Sequence, residues 1–157
     1  MATATDQAEP KLIIPPLAPF YDVVRDLSWP LIRVTVGGTL LAHGWVKVTV
    51  FGVGAVAANA LAKRGIEPAL PLAYAITFLE TVGAVCLMLG LFTRLMAAAL
   101  AVELAVITFV AHWPNGYFFT ASGGGWEYPL LGGLVILAIA LRGGGPYSLD
   151  RKLGWEL

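Results

Sequence analysis

The sequence is poor in charge. Among 157 residues, Asp, Glu, Lys and Arg make up 13%, against 58% for hydrophobic types. Soluble domains carry about 25% charge, so too little polar surface is available to cover one aqueous core. The ten basic residues balance the ten acidic ones. No excess of positive charge exists to hold nucleic acid. One cysteine, Cys86, lies in an apolar run. It has no partner for an internal disulfide and reads as a small buried hydrophobe. His43 and His112 are the only histidines, and no short-spaced ligand pair exists, so no metal is expected. No phosphate-binding glycine loop and no nucleophile motif appears, so no nucleotide is expected either. A basic start followed by an unbroken apolar core is missing from the N-terminus, as a cleavable signal peptide would require.

What the chain has in abundance is long apolar runs, at about 30–51, 69–92, 95–113 and 128–141. Crossing the roughly 30 Å hydrocarbon core takes about 20 helical residues. The first three runs meet that length. The fourth meets it with Trp126 and Glu127 included and slight thinning of the bilayer. The expected fold is therefore an all-α integral membrane protein, a four-transmembrane-helix bundle with a short N-terminal interfacial helix. Residues 1–19 read as a flexible, proline-rich cytoplasmic tail, since Pro15, Pro16 and Pro19 disfavour helix. Residues 20–29 read as the interfacial helix, with Phe20, Val23, Val24 and Leu27 opposite Asp22, Arg25 and Asp26. Residues 30–150 hold the bundle and 151–157 a C-terminal tail. Val53 to Leu61 either extends the first span or forms a separate helix. Thr93-Arg94 marks a tight turn, which makes the second and third spans a hairpin. Lys and Arg gather near the termini and Arg94, against Lys63 and Arg64 opposite, which places both termini in the cytoplasm.

Seven ionisable residues fall within or at the edges of the spans: Arg33, His43, Lys47, Glu80, Glu103, His112 and Glu127. One charge at the bilayer centre costs roughly 2.5–3.5 kcal/mol on insertion scales, so each needs a partner, a proton or water. Steps of seven, three and four put Arg33, Leu40, His43 and Lys47 near one stripe of the first span. Glu80 comes to about the depth of His43, and a His43–Glu80 contact is expected. Lys47, His112 and Glu127 collect toward the outer side, beneath the uncharged loop 114–125. Glu103 and His112 are nine residues apart, on opposite helix faces, and do not share a site. The alternatives are structural. Lys47 either snorkels or serves a site, Glu127 either complements a helix dipole or relays protons, and Arg33 reads as an interface anchor. The aromatics Trp113, Tyr117, Phe118, Phe119, Trp126 and Tyr128 form either an interfacial belt or a flat pocket for a ring-shaped, lipid-soluble ligand.

These residues stand in an ordered set of short motifs. They are Leu31-Ile32-Arg33 and His43-Gly44-Trp45-Val46-Lys47, Glu80 with Gly83, Gly90-Leu91-Phe92-Thr93-Arg94, His112-Trp113-Pro114-Asn115-Gly116-Tyr117-Phe118, Trp126-Glu127-Tyr128-Pro129 and Gly145-Pro146-Tyr147-Ser148-Leu149-Asp150. Over residues 30–150 the set resembles the DoxX family of small four-helix membrane proteins, itself similar to the DoxD subunit of thiosulfate:quinone oxidoreductase. That resemblance implies a multi-pass protein of the bacterial inner membrane with a quinone-linked redox role. It implies catalytic positions at His43, Glu80 and Glu127, and quinone contacts at His43, Lys47, His112, Trp113 and Trp126. Glu103 matches none of the motifs. The expected partners are the lipid bilayer and other membrane or membrane-associated subunits. The rival expectations are a non-catalytic scaffold of a larger complex, whose polar residues act as interhelical glue, and a small proton-coupled transporter, against which stands the lack of an inverted repeat.

Overall fold

The computed structural model describes residues 11–156, all of its regular structure helical. Seven helices follow one another. They are α1 (Ala18–Val24), α2 (Ser28–Val46), α3 (Val53–Val56), α4 (Ala69–Leu89), α5 (Thr93–Asn115), α6 (Glu127–Arg142) and α7 (Leu149–Leu153). Three helical stretches are long and apolar enough to cross a membrane: Pro15–Phe51, Ala69–Leu89 and Thr93–Asn115. The α6 helix has 16 residues, below the roughly 20 that a full crossing takes.

The N-terminal stretch departs from expectation in two ways. Helical geometry begins at Pro15, in a 3-10 turn that leads directly into α1. Proline is tolerated there because the first N–H groups of a helix have no acceptor within it. Residues 20–29 are also not a separate helix. A 3-10 turn, Arg25–Leu27, joins α1 to α2 in one helical run that ends at Phe51. Pro30 falls in the first turn of α2, directly after the 3-10 turn, where the missing N–H of proline is tolerated.

Four helices form a ring. The α2 helix packs along the second half of α4, α5 packs along α6, and weaker contacts α4–α5 and α2–α6 close it. Leu40, Ala84, Leu87, Ala97, Leu100, Leu104, Ile136 and Ile139 fill its centre. Large apolar side chains such as Leu31, Val34, Val82, Val102, Leu131 and Leu134 point outward. Such a surface is stable against hydrocarbon and not against water. Of the two readings of residues 53–61, the separate helix is the one observed. Gly52, at φ +79°, breaks the run after Phe51, and α3 with the π-helical segment Ala57–Leu61 after it folds back to bury Val56, Ala57 and Leu61 against Ala69 and Ala73.

The buried stripe of α2 runs through Arg33, Gly37, Leu40 and Gly44. At Gly44 the two backbones nearly touch: a Cβ there would lie 2.7 Å from the Glu80 carbonyl. Backbone cannot yield as a flexible side chain can. Gly44→Ala is expected to destabilise the bundle by about 1–3 kcal/mol. Gly38→Ala, whose Cβ would meet nothing within 4 Å, should be neutral or gain up to about 1 kcal/mol of helix propensity. Thermal unfolding of the two variants in detergent checks the contrast. Equal melting temperatures would refute the close approach.

Candidate functional site

The helices bring the ionisable residues together in three places. The first lies in the bundle, toward the end where α2 finishes. Lys47 Nζ donates to Glu80 Oε2, joining α2 to α4. The Glu80 side chain is 3% exposed and that of Lys47 19%. Both residues sit in π turns, Lys47–Phe51 and Leu79–Gly83. Such turns insert one extra residue per turn and recur at functional sites. Glu103, on α5, faces the same pair, with Glu80 and Lys47 as the charges that act on it. It is 7% exposed, and neither carboxyl oxygen has a hydrogen-bond partner.

The expected His43–Glu80 contact is replaced by Lys47–Glu80. The stripe of α2 steps by four and three through its glycines to Lys47. His43 stands about 60° away from Leu40 around the helix, at 100° per residue, and is exposed. Closest approach is made by the residue without a side chain, Gly44, and His43 is displaced to the flank.

The second place is the end of the bundle formed by loop 116–126. The His112 ring bonds through Nδ1 to the Gly124 carbonyl at 2.9 Å, and Asn115 Nδ2 donates to the Gly123 and Gly124 carbonyls. Two backbone bonds, Trp126 N–H to Gly116 and Glu127 N–H to Tyr117, zip the loop shut. Trp113 stacks on Trp126 with centroids 4.9 Å apart, and Tyr117 meets the same indole edge-on at 4.7 Å. The loop thus folds back over the ends of α5 and α6. Beside it is a cavity of about 300 Å³ lined by Tyr117, Glu127, Tyr128, Leu130, Leu131 and Leu134. It holds Glu127 among the expected residues. His43 does not floor it, and Lys47, His112, Trp113 and Trp126 do not line it. As expected from their spacing, Glu103 and His112 have separate surroundings.

The third place is the opposite end. Arg33, 1% exposed, donates to the carbonyls of Leu87 and Met88 at the C-terminus of α4, and to those of Pro146 and Tyr147. A cation there also complements the negative end of the helix dipole. Asp150, equally buried, accepts from the Phe92 and Thr93 N–H groups and from the Thr93 hydroxyl, at 2.6–2.8 Å. It caps α5 from 57 residues away. Arg94 donates to the Ala140, Leu141 and Arg142 carbonyls and closes the C-terminus of α6. The Trp29 ring packs against Gly145, beneath the Arg142 guanidinium at 5.1 Å. Arg33 is therefore a buried lock rather than an interface anchor. Two sequence motifs that looked independent, 90–94 and 145–150, are the two halves of it.

Apolar helices with lipid-ready faces, and a few charged groups paired between them, define a helical membrane protein with an apolar core and buried polar contacts. The DoxX family model matches residues 28–113, more than half of the sequence, and the chain belongs to that family. It is also 34% identical over 123 residues to a protein of Haemophilus influenzae (strain ATCC 51907 / DSM 11121 / KW20 / Rd) described as uncharacterized, covering 77% of this chain and 87% of that one. No solved structure matches.

Proposed function

We propose that this chain is the membrane-embedded subunit of a quinone-linked redox system in the bacterial inner membrane. In this reading α6 makes the fourth crossing, and both termini lie in the cytoplasm. Support for the orientation comes from the lock end, which collects Arg94, Arg142, Arg151 and Lys152, against Lys63 and Arg64 at the other. A reporter fused after Asp150 should read as cytoplasmic, and an external signal would reverse the orientation.

The observation that carries the redox reading is the cavity beside loop 116–126. Its volume, about 300 Å³, is at the lower end of small-molecule sites. Two phenols and one carboxylate line it with three leucines, and Leu131 and Leu134 are also exposed on the bundle's outer face. This donor set fits a quinone, although it is not the His43, Lys47 and His112 set expected from sequence. A quinone supplies two-electron, two-proton chemistry when bound. The phenols of Tyr117 and Tyr128 hold its oxygens, the leucines exclude water from the ring, and the Glu127 carboxyl stands beside it to pass protons to and from it. His112, engaged with Gly124, acts one step removed by fixing the loop. The test is saturable quenching of tryptophan fluorescence by a quinone in nanodiscs, reported by Trp113 and Trp126. Tyr128→Phe and Glu127→Gln should each weaken binding about threefold to tenfold, the loss of one hydrogen bond. Quenching that never saturates, matching partition into empty nanodiscs, rejects this reading.

A second reading, a non-catalytic assembly subunit, is favoured by one observation. Arg33, Asp150 and the Lys47–Glu80 pair all act as bonds between segments of the bundle, as interhelical glue does. Under it, gentle purification yields a stoichiometric membrane partner and no quinone saturation.

A further inference from the structure

We propose that Lys47, Glu80 and Glu103 form an intramembrane proton-binding site, in which Glu103 and Glu80 share one proton. The inference is independent of whether the chain binds quinone. Three helices each contribute one member: α2 gives Lys47, α4 gives Glu80 and α5 gives Glu103. Fully ionised, the group carries one positive and two negative charges, a net charge of −1 inside an apolar bundle. Lys47 is committed to Glu80. Both Glu103 oxygens are buried without a donor, although Glu80 and Lys47 lie close enough to act on them. A carboxylate in that position has lost its water and gained no hydrogen bond in exchange. One proton brings the net charge to zero and gives the two carboxyls a donor between them.

The surroundings favour a proton over other cations. The Lys47 ammonium already occupies the position that a metal ion would take against Glu80. Among the described residues no group of three His, Cys, Asp or Glu side chains is placed to hold a metal ion. Among the described residues, Glu80 and Lys47 are the charged groups that act on Glu103. The α6 helix has charged residues only at its ends, Glu127 and Arg142, and α3 has none. His43 lies exposed on the outer flank of α2 and His112 is held by Gly124. Lys47 is the most exposed of the three, so the proton enters and leaves on its side. A site that gains one proton without gaining net positive charge can carry that proton to mid-membrane depth.

The test is infrared spectroscopy of the intact chain in nanodiscs, with glutamate ¹³C-labelled at its side-chain carboxyl. At neutral pH the labelled protein should show the carbonyl stretch of a protonated carboxylic acid. Glu103→Gln, close to isosteric, should abolish that band while the protein stays monodisperse. Glu80→Gln should move its frequency, because it removes the group that shares the proton. Absence of the band in the unsubstituted chain overturns the proposal, as does a band that persists in Glu103→Gln. A band that Glu80→Gln leaves unmoved also overturns it. This last comparison decides the matter even if Glu103→Gln fails to fold. Quinone binding has no part in any of these readouts.

Discussion

Replacing Arg33 by methionine is expected to be among the most destabilising single changes in this chain, lowering stability by about 3 kcal/mol or more. The side chain is a single cross-brace between α2, the end of α4 and the turn before α7. Methionine has similar bulk but removes the Arg33 donor from the Met88, Pro146 and Tyr147 carbonyls, while the Leu87 carbonyl keeps the Gly90 N–H. A buried acceptor left unpaired costs about 1–3 kcal/mol. Methionine also removes the positive charge near Asp150, which keeps its bonds to Phe92 and Thr93. Lysine should recover only part of the loss, because a single ammonium cannot reproduce the fork that bonds two segments at once. Asp150→Asn should also destabilise, since an amide serves Phe92 and Thr93 less well than a carboxylate does. The combined loss in Arg33→Met/Asp150→Asn should fall short of the sum, as both act on one structure. Unfolding in detergent measures all of these. An Arg33→Met protein that melts with the unsubstituted one would show that the lock is dispensable.

The second large effect is expected at the Lys47–Glu80 pair, and it should be asymmetric. Lys47→Leu leaves Glu80 buried beside Glu103 with no cation, and should cost about 3–5 kcal/mol. Glu80→Leu leaves a lysine that is partly exposed and able to extend its ammonium toward the interface, so its cost should be smaller, about 1–2 kcal/mol once its exposure is allowed for. Lys47→Met/Glu80→Leu should return close to the original stability, because the buried charge is gone along with its partner. A double variant as unstable as Lys47→Leu alone would show that packing, not charge, sets the loss. The double variant also separates structure from chemistry. A stable but inactive protein assigns the pair to function, and a stable, active one leaves it only a structural role.

Much of the architecture was readable in the sequence because hydrophobic runs and the solvent they need are long-range signals. The helical hairpin at Thr93-Arg94 rests on local chemistry that a sequence displays, whereas the stretch after Phe51 reads equally as an extension of the span or as a separate helix until Gly52 is seen at positive φ. The site was less readable, and the reasons are specific. Ideal spacing puts His43 near the contact stripe, but the contact belongs to Gly44, whose value lies in having no side chain. The π turns at Lys47 and Glu80 change the helical phase by a residue, which no spacing rule for ideal helices anticipates. Glu103 matches no motif and shows its importance only when three helices are in place. Asp150 ends the last of the ordered motifs, but nothing in its neighbourhood announces a partner 57 residues earlier.

That distant cap has a consequence for biosynthesis. As the chain is made, α2, α4 and α5, which are long and apolar enough to cross a membrane, are completed in order, and α6 follows them. The group that satisfies the N-terminus of α5, and half of the acceptors for Arg33, are translated after all four. Until then, the hairpin turn carries exposed donors and Arg33 holds only the end of α4. Lateral insertion and final closure are therefore separate events in time, and the bundle stays adjustable until the segment from Gly145 to Asp150 reaches the membrane surface and latches it.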